Sequence, residues 1–341
     1  MKLQITILFL AVMVTLATCK KSKVTVQAAP TPVNFVVPVG YPSPNFNFGS
    51  NPLTLQGIAL GKKLFFDGIL SKDGNFPCAS CHQPFAAFAT FDHDFSHGFN
   101  NSFTTRNAPA LQNLVWKNNF HHDGGVQNLE MQALSPITAP NEMGDDLANV
   151  IAKLKANATY RQMFIAAFGI DDITTAKMAK AIAQYQTQLV SANSKYDSVK
   201  NNTATFTNFE QTGYQLFKQH CTNCHKEPFF TDESFRNIGL INNPFLNDKG
   251  RMTITNNPAD SLKFKVPSLR NVALTAPYMH DGRLASLQNV LAHYTTNLVQ
   301  HSTTDPLVVN RINLSTLQRN QIIAFLQTLT DSTFVNNPAL R

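Results

Sequence analysis

Two pentapeptides in this chain have the residue types and spacing for covalent cofactor chemistry: Cys78-Ala79-Ser80-Cys81-His82 and Cys221-Thr222-Asn223-Cys224-His225. Thiols three positions apart can add to the two vinyl groups of a haem, and the imidazole that follows reaches the iron. Zinc held by two Cys-x-x-Cys pairs is the competing reading, but zinc does not require a histidine at the same offset in both. Two covalently bound haem c groups are therefore expected. Of the five cysteines, these motifs use four and Cys19 is the fifth, so none remains for a disulfide.

A haem whose axial positions are both filled by protein mainly transfers electrons; an open or displaceable position can bind peroxide. The residues after the first motif therefore matter. His97 lies in a Gly/Asn-rich loop, where an imidazole could swing on and off an iron. A solvated loop histidine is the alternative, and His93 competes for the same role. Further on come Gln132, Pro136 and Glu142. A carboxylate near the haem can take a proton and return it, and an amide can orient peroxide. For Glu142 the plainer reading is an acid near a helix start, favoured by the dipole alone.

The elements that must position these residues come as a repeat. Gly61-Lys62-Lys63-Leu64-Phe65 precedes the first motif and Gly213-Tyr214-Gln215-Leu216-Phe217 the second, each reading as an amphipathic helix. Downstream, Pro109-Ala110-Leu111-Gln112-Asn113 pairs with Pro267-Ser268-Leu269-Arg270-Asn271. Thirteen residues after each proline stands His-Asp-Gly, at His122 and at His280. The expectation is an all-α chain of two tandem cytochrome c-like haem domains, 51–197 and 198–341, with Asn201-Asn202-Thr203 as a linker. Helices are expected over Leu147–Leu154, over Thr175–Ser191, and after a capping box at Ser315 and Gln318.

Residues 1–18 read as an export signal, and Leu16-Ala17-Thr18-Cys19 resembles a lipobox whose cysteine is lipidated. Such a chain is expected in the periplasm, anchored to a membrane through Cys19. Residues 19–50 carry Pro30, Pro32, Pro38, Pro42 and Pro44, the composition of an extended tether. A hydrophobic content of 43% with 14% charged residues describes a globular protein, and a net charge of +7 without a basic run gives no sign of nucleic-acid binding.

From Gly61 to Leu329 the chain resembles the bacterial di-haem cytochrome c peroxidase family, including its methylamine-utilisation (MauG-type) branch. The resemblance rests on Leu60-Gly61-Lys62-Lys63-Leu64-Phe65-Phe66-Asp67, Arg106-Asn107-Ala108-Pro109, Asp123-Gly124 and Val266-Pro267-Ser268-Leu269-Arg270-Asn271-Val272. It implies His82 as proximal ligand of a peroxidatic iron, His97 as its displaceable distal ligand, and Gln132 and Glu142 as the distal amide and acid–base carboxylate. It implies His225 as proximal ligand of a second, electron-transfer haem, and a calcium ion at Asn107 with carbonyls near Lys265 and Pro267. Two positions depart from the peroxidase pattern. His122 stands where a tryptophan usually precedes Asp-Gly, and Tyr294 stands where a methionine is commonly the second iron's sixth ligand. The MauG branch has tyrosine there. His293 and a buried helix aromatic are the alternatives; Trp116 and Met279 read as packing residues.

The resemblance implies reduction of hydrogen peroxide to water, with electrons from a small c-type cytochrome or copper protein entering at the C-terminal haem. The other enzyme reading is a MauG-type oxidase of a protein or organic substrate, and the non-enzymatic one a di-haem electron carrier. A homodimer is compatible with the resemblance.

Overall fold

The computed structural model describes residues 28–341. The expected leader and Cys19 lie outside the described residues.

Each half is built on two helices that cross at a glycine. In the first, Leu55–Phe66 packs along Thr175–Thr187, and a Cβ at Gly61 would overlap the Ala181 carbonyl. In the second, Asn208–His220 packs along Thr316–Gln327, with Gly213 against the Gln321 carbonyl in the same way. The glycine shared by the two sequence repeats is thus a close-crossing position. Side chains cap the entering helices: Thr54 accepts from the Gly57 amide, and Thr207 forms a capping box with Glu210. The expected box at Ser315 and Gln318 is present too.

Burial follows the repeat. Leu60, Leu64, Val150, Leu154, Phe164 and Ile182 form one core of the first half, and Phe65, Phe88, Leu111 and Tyr185 another. Tyr196, Phe217, Phe230, Leu291, Phe325 and Leu326 form that of the second. The helix Lys195–Lys200, through Tyr196, already belongs to the second core. The C-terminus crosses back: Phe334, Val335 and Leu340 pack on the first half, and Tyr185 Oη donates to the Leu340 carbonyl at 2.7 Å. Regular strands among the described residues are two short ones, Phe235–Arg236 and Phe264–Lys265, antiparallel with Phe235 opposite Lys265.

The stretch expected as a tether up to residue 50 is docked on the body from Pro32 onward. Pro32 bridges to Thr54, and the Asn45 and Phe46 amides donate to the Val115 carbonyl at 3.1 and 3.0 Å. Phe35 and Tyr41 pack on Trp116, which is buried and donates to the Pro42 carbonyl at 2.8 Å. Aromatic side chains set at irregular spacing supply burial that the proline content conceals.

The halves clasp each other reciprocally. The Asn107 amide donates to the His280 carbonyl at 2.8 Å, and the Lys265 amide donates to the His122 carbonyl at 2.7 Å. Each donor stands two residues before the repeated proline, and each acceptor is the histidine of the other half's His-Asp-Gly. Gly124 and Gly282, both left-handed with φ near +68° and +69°, back onto Phe235 and Asp94 of the opposite half. Among the described residues no helix is long and apolar enough to cross a membrane.

Candidate haem sites

The short helix Cys78–Cys81 sets two thiols one turn apart, with the His82 amide closing on the Cys78 carbonyl at 2.9 Å. His82 Nδ1–H donates to the Phe88 carbonyl at 2.9 Å. This fixes the tautomer and leaves Nε2 for a metal. Burial pushes the imidazole below its usual range, so it stays neutral as a ligand must. The second half repeats the device: His225 Nδ1–H donates to the Phe230 carbonyl at 2.9 Å, and burial lowers that imidazole likewise. Phe88 and Phe230 are fully buried and both left-handed, with φ of 59° and 55°, which turns each carbonyl back toward its histidine.

Beside His82 lies a cavity. Its wall includes Cys78, Cys81 and His82 together with His97, Gln132 and Glu142. Phe65, Phe76, Leu111 and Ile182 supply apolar surface, and Pro136 and Met143 complete the expected set. Burial holds the Cys78 thiol at about 12 and the Cys221 thiol at about 12, an apolar setting suited to thioethers. The donor set, its orientation and the apolar walls fit a covalently attached haem.

Above ordinary loop geometry, one clamp stands out. Phe99 donates from its amide to the Glu142 carbonyl at 2.6 Å, and Gly98 backs onto the Asn141 carbonyl. The His97 loop is therefore held on the Glu142 loop. His97 packs its ring on Phe103 at 4.7 Å, while His93 lies 5.8 Å beyond and outside the cavity wall. Burial alone pushes the Glu142 carboxyl above its usual range. Gln132 Nε2 donates to Gln186 Oε1 at 3.0 Å, and Gln186 lines the same cavity.

At the second motif, the helix Leu287–Ala292 widens into a π-helical turn over His293–Asn297, a local distortion frequent at functional sites. His293 is buried, with Nε2–H donating to the Ile238 carbonyl at 2.8 Å. That nitrogen is spent. Desolvation raises the Tyr294 phenol above its usual range, and the neighbouring Cys221 and Cys224 sulfurs add to it. Tyr294 thus lies within electrostatic range of the second cysteine pair, while His293 Nε2 is committed to a backbone carbonyl.

A family model for di-haem cytochrome c peroxidase matches residues 55–205. The methylamine utilization protein MauG of Methylophilus methylotrophus is 34% identical over 293 residues, covering 82% of this chain and 84% of that one. The chain belongs to the di-haem cytochrome c peroxidase/MauG family. The cytochrome c551 peroxidase of Nitrosomonas europaea is 34% identical over 288 residues, covering 80% and 79%. A crystal structure of a MauG-like protein associated with microbial copper homeostasis superposes with a TM-score of 0.82 at 32% identity, covering 91% of this chain and 99% of that one.

Membership makes two haem c groups and oxidoreductase chemistry the family-level statement. Between the halves of this di-haem protein, His122 Nε2–H donates to the Asn107 carbonyl at 2.8 Å, and burial pushes the ring down to about 3. It is neutral and fixed. Asn107 Nδ2 donates to the His93 and Asp94 carbonyls at 3.1 Å each, so Asn107 ties the His97 loop to the domain junction. Among the described residues no group of three or more His, Cys, Asp and Glu side chains gathers as a metal site. Sequence reasoning missed Gln186, Phe88 and Phe230. For the phenylalanines a signal existed, a Pro-Phe shortly after each motif and a second Phe behind it; for Gln186 there was none.

Proposed function

We propose that this protein is a di-haem cytochrome c peroxidase that reduces hydrogen peroxide to water. The observation that carries the reading is the single cavity whose wall unites Cys78, Cys81 and His82 with Gln132, Glu142 and His97. When bound, the haem irons supply the redox chemistry, the C-terminal one taking electrons from a small redox protein and the N-terminal one passing them to peroxide. His82 Nε2 would hold the N-terminal iron, and His97, on the loop held against Glu142, would be the side chain that yields to admit peroxide. Glu142 accepts the proton from the attacking oxygen and returns it to the departing one, a task suited to a carboxyl raised by burial. Gln132 orients the peroxide. A pure electron carrier has no use for either side chain.

Lipid anchoring in the periplasm through Cys19, and calcium at Asn107 with carbonyls near Lys265 and Pro267, belong to the same reading. Peroxide consumption with a reduced small cytochrome c as donor tests it. Turnover in wild type that falls at least a hundredfold in Glu142→Gln, with both haems retained, is the expected result. Near-normal turnover in the variant removes the acid–base role.

Tyr294 beside the second cysteine pair favours a second reading, MauG-type oxidation of a protein or organic substrate. As a ligand, the Tyr294 phenolate would lower the potential of the iron held by His225. Organic oxidation without a cytochrome donor, together with an altered C-terminal haem spectrum in Tyr294→Phe, would select this reading over peroxide detoxification.

A further inference from the structure

The helix Thr175–Thr187 buries two glutamines, both 2% exposed, and treats them differently. Gln184 is used at both ends of its amide: Oε1 accepts from the Thr54 amide at 3.1 Å, and Nε2 donates to Asn51 Oδ1 at 2.9 Å. It ties two helices together. Gln186 makes one side-chain hydrogen bond, in which its Oε1 accepts from Gln132 Nε2 at 3.0 Å. No acceptor among the described residues meets Gln186 Nε2, and the side chain lines the cavity with His97 and Glu142. Buried amides ordinarily find partners at both ends. The end left over is free to meet a ligand in the cavity that Gln186 lines.

Gln132 is the last residue of the short helix Leu129–Gln132, on a side chain with three rotatable bonds. Its amide has an acceptor end and a donor end, exchanged by half a turn about the final bond. With Nε2 committed to Gln186, Oε1 is the end left for a ligand. Gln186 Nε2 then adds a donor beside it. One acceptor and one donor side by side match hydrogen peroxide, in which each oxygen both donates and accepts.

We infer that Gln186 is a positioning residue that fixes the Gln132 amide with its carbonyl oxygen toward the iron-binding cavity. Its kinetic consequence rests on the proposed peroxidase reading; its spectroscopic consequence does not. Gln186→Met keeps the side chain's length and removes the acceptor, so the Gln132 amide is free to present either end. Gln186→Glu keeps an acceptor for Gln132 Nε2.

The test uses haem-loaded full-length protein. Carbon monoxide on the reduced N-terminal iron reports the polarity around it through its stretching frequency. One band is expected for wild type and for Gln186→Glu, and two bands for Gln186→Met. In Gln132→Leu/Gln186→Met the two collapse to one. With peroxide, Gln186→Met is expected to lower kcat/KM about tenfold, the worth of one hydrogen bond. The double variant should lose no more than Gln132→Leu alone, because the two residues act as a unit. A wild-type carbon monoxide band and wild-type turnover in Gln186→Met overturn the inference, as do additive losses in the double variant. Split bands in a protein that does not consume peroxide uphold the role of Gln186 and reject the peroxidase reading. Should Gln186→Met fail to fold, Gln186→Glu decides: one band with turnover retained supports the role, and loss to the level of Gln132→Leu refutes it.

Discussion

Glu142 is raised by burial with no charged partner contributing, and this gives it a thermodynamic signature apart from activity. A carboxyl whose folded pKa lies above its unfolded value adds stability that is fully present below about pH 4.3. That stability is lost as pH rises through the folded pKa. At pH 7 the ionised side chain is therefore a burden on the fold. Glu142→Gln should melt higher than wild type at pH 7 and no differently near pH 4, by calorimetry of the haem-loaded proteins. The same variant should lose the limb of the peroxide pH profile that lies above the ordinary carboxylate range. A lower melting temperature at pH 7 would make Glu142 structural. Legibility at this scale followed covalent constraint. Cys78, Cys81 and His82 were readable because haem attachment dictates their spacing. Gln186 was not, because a glutamine on a helix reads the same whether it faces a scaffold, as Gln184 does, or a cavity.

At the scale of elements, the repeated Gly61 and Gly213 were visible in sequence but not the reason for them. Each removes a Cβ where a helix passes over a carbonyl of its partner, Ala181 in one half and Gln321 in the other. Alanine is the better helix former by about 1 kcal/mol, so helix propensity alone predicts that Gly213→Ala stabilises. Overlap with the Gln321 carbonyl opposes this, and overpacking of this kind costs roughly 1–3 kcal/mol. Gly213→Ala should therefore be less stable than wild type in urea titration of the holoprotein. A gain in stability would show that the two helices separate without penalty. The Pro-rich stretch was misread at this same scale. Proline content argues for an extended chain, whereas residues 32–50 fold back in turns at Pro38–Tyr41 and Asn47–Ser50, and Phe35, Tyr41 and Phe46 lack any helix or strand period. Their burial depends on Trp116 and Val115, about 70 residues away, which no local pattern announces.

For the whole molecule, the question is what joins two halves with separate cores. Much of the answer runs through Arg106, whose Nη1 donates to Asp123 at 2.5 Å and whose Nε donates to Asp248 at 2.6 Å. Asp123 carries one half's His-Asp-Gly turn, and Asp248 belongs to the other half. Burial works against charge on both carboxylates, but Arg106 outweighs it and holds both below their usual range. Their contribution is therefore present above about pH 3.9 and lost as pH falls through the folded values. Arg106→Leu leaves two largely buried carboxylates with only backbone amides as partners and no arginine to offset their desolvation, a loss of roughly 3–5 kcal/mol at neutral pH. Because the cost falls at the junction and not in either core, calorimetry of the variant should resolve two transitions where wild type shows one. The gap between variant and wild type should narrow below about pH 4, where the carboxylates take up protons. His280 is pushed down to about 4, chiefly by burial with Arg106 lowering it further, so in Arg106→Leu it takes up its proton at a higher pH than in wild type. A single transition in Arg106→Leu would mean that the reciprocal backbone clasp at Asn107 and Lys265, with the C-terminal segment docked on the first half, suffices to unite the halves.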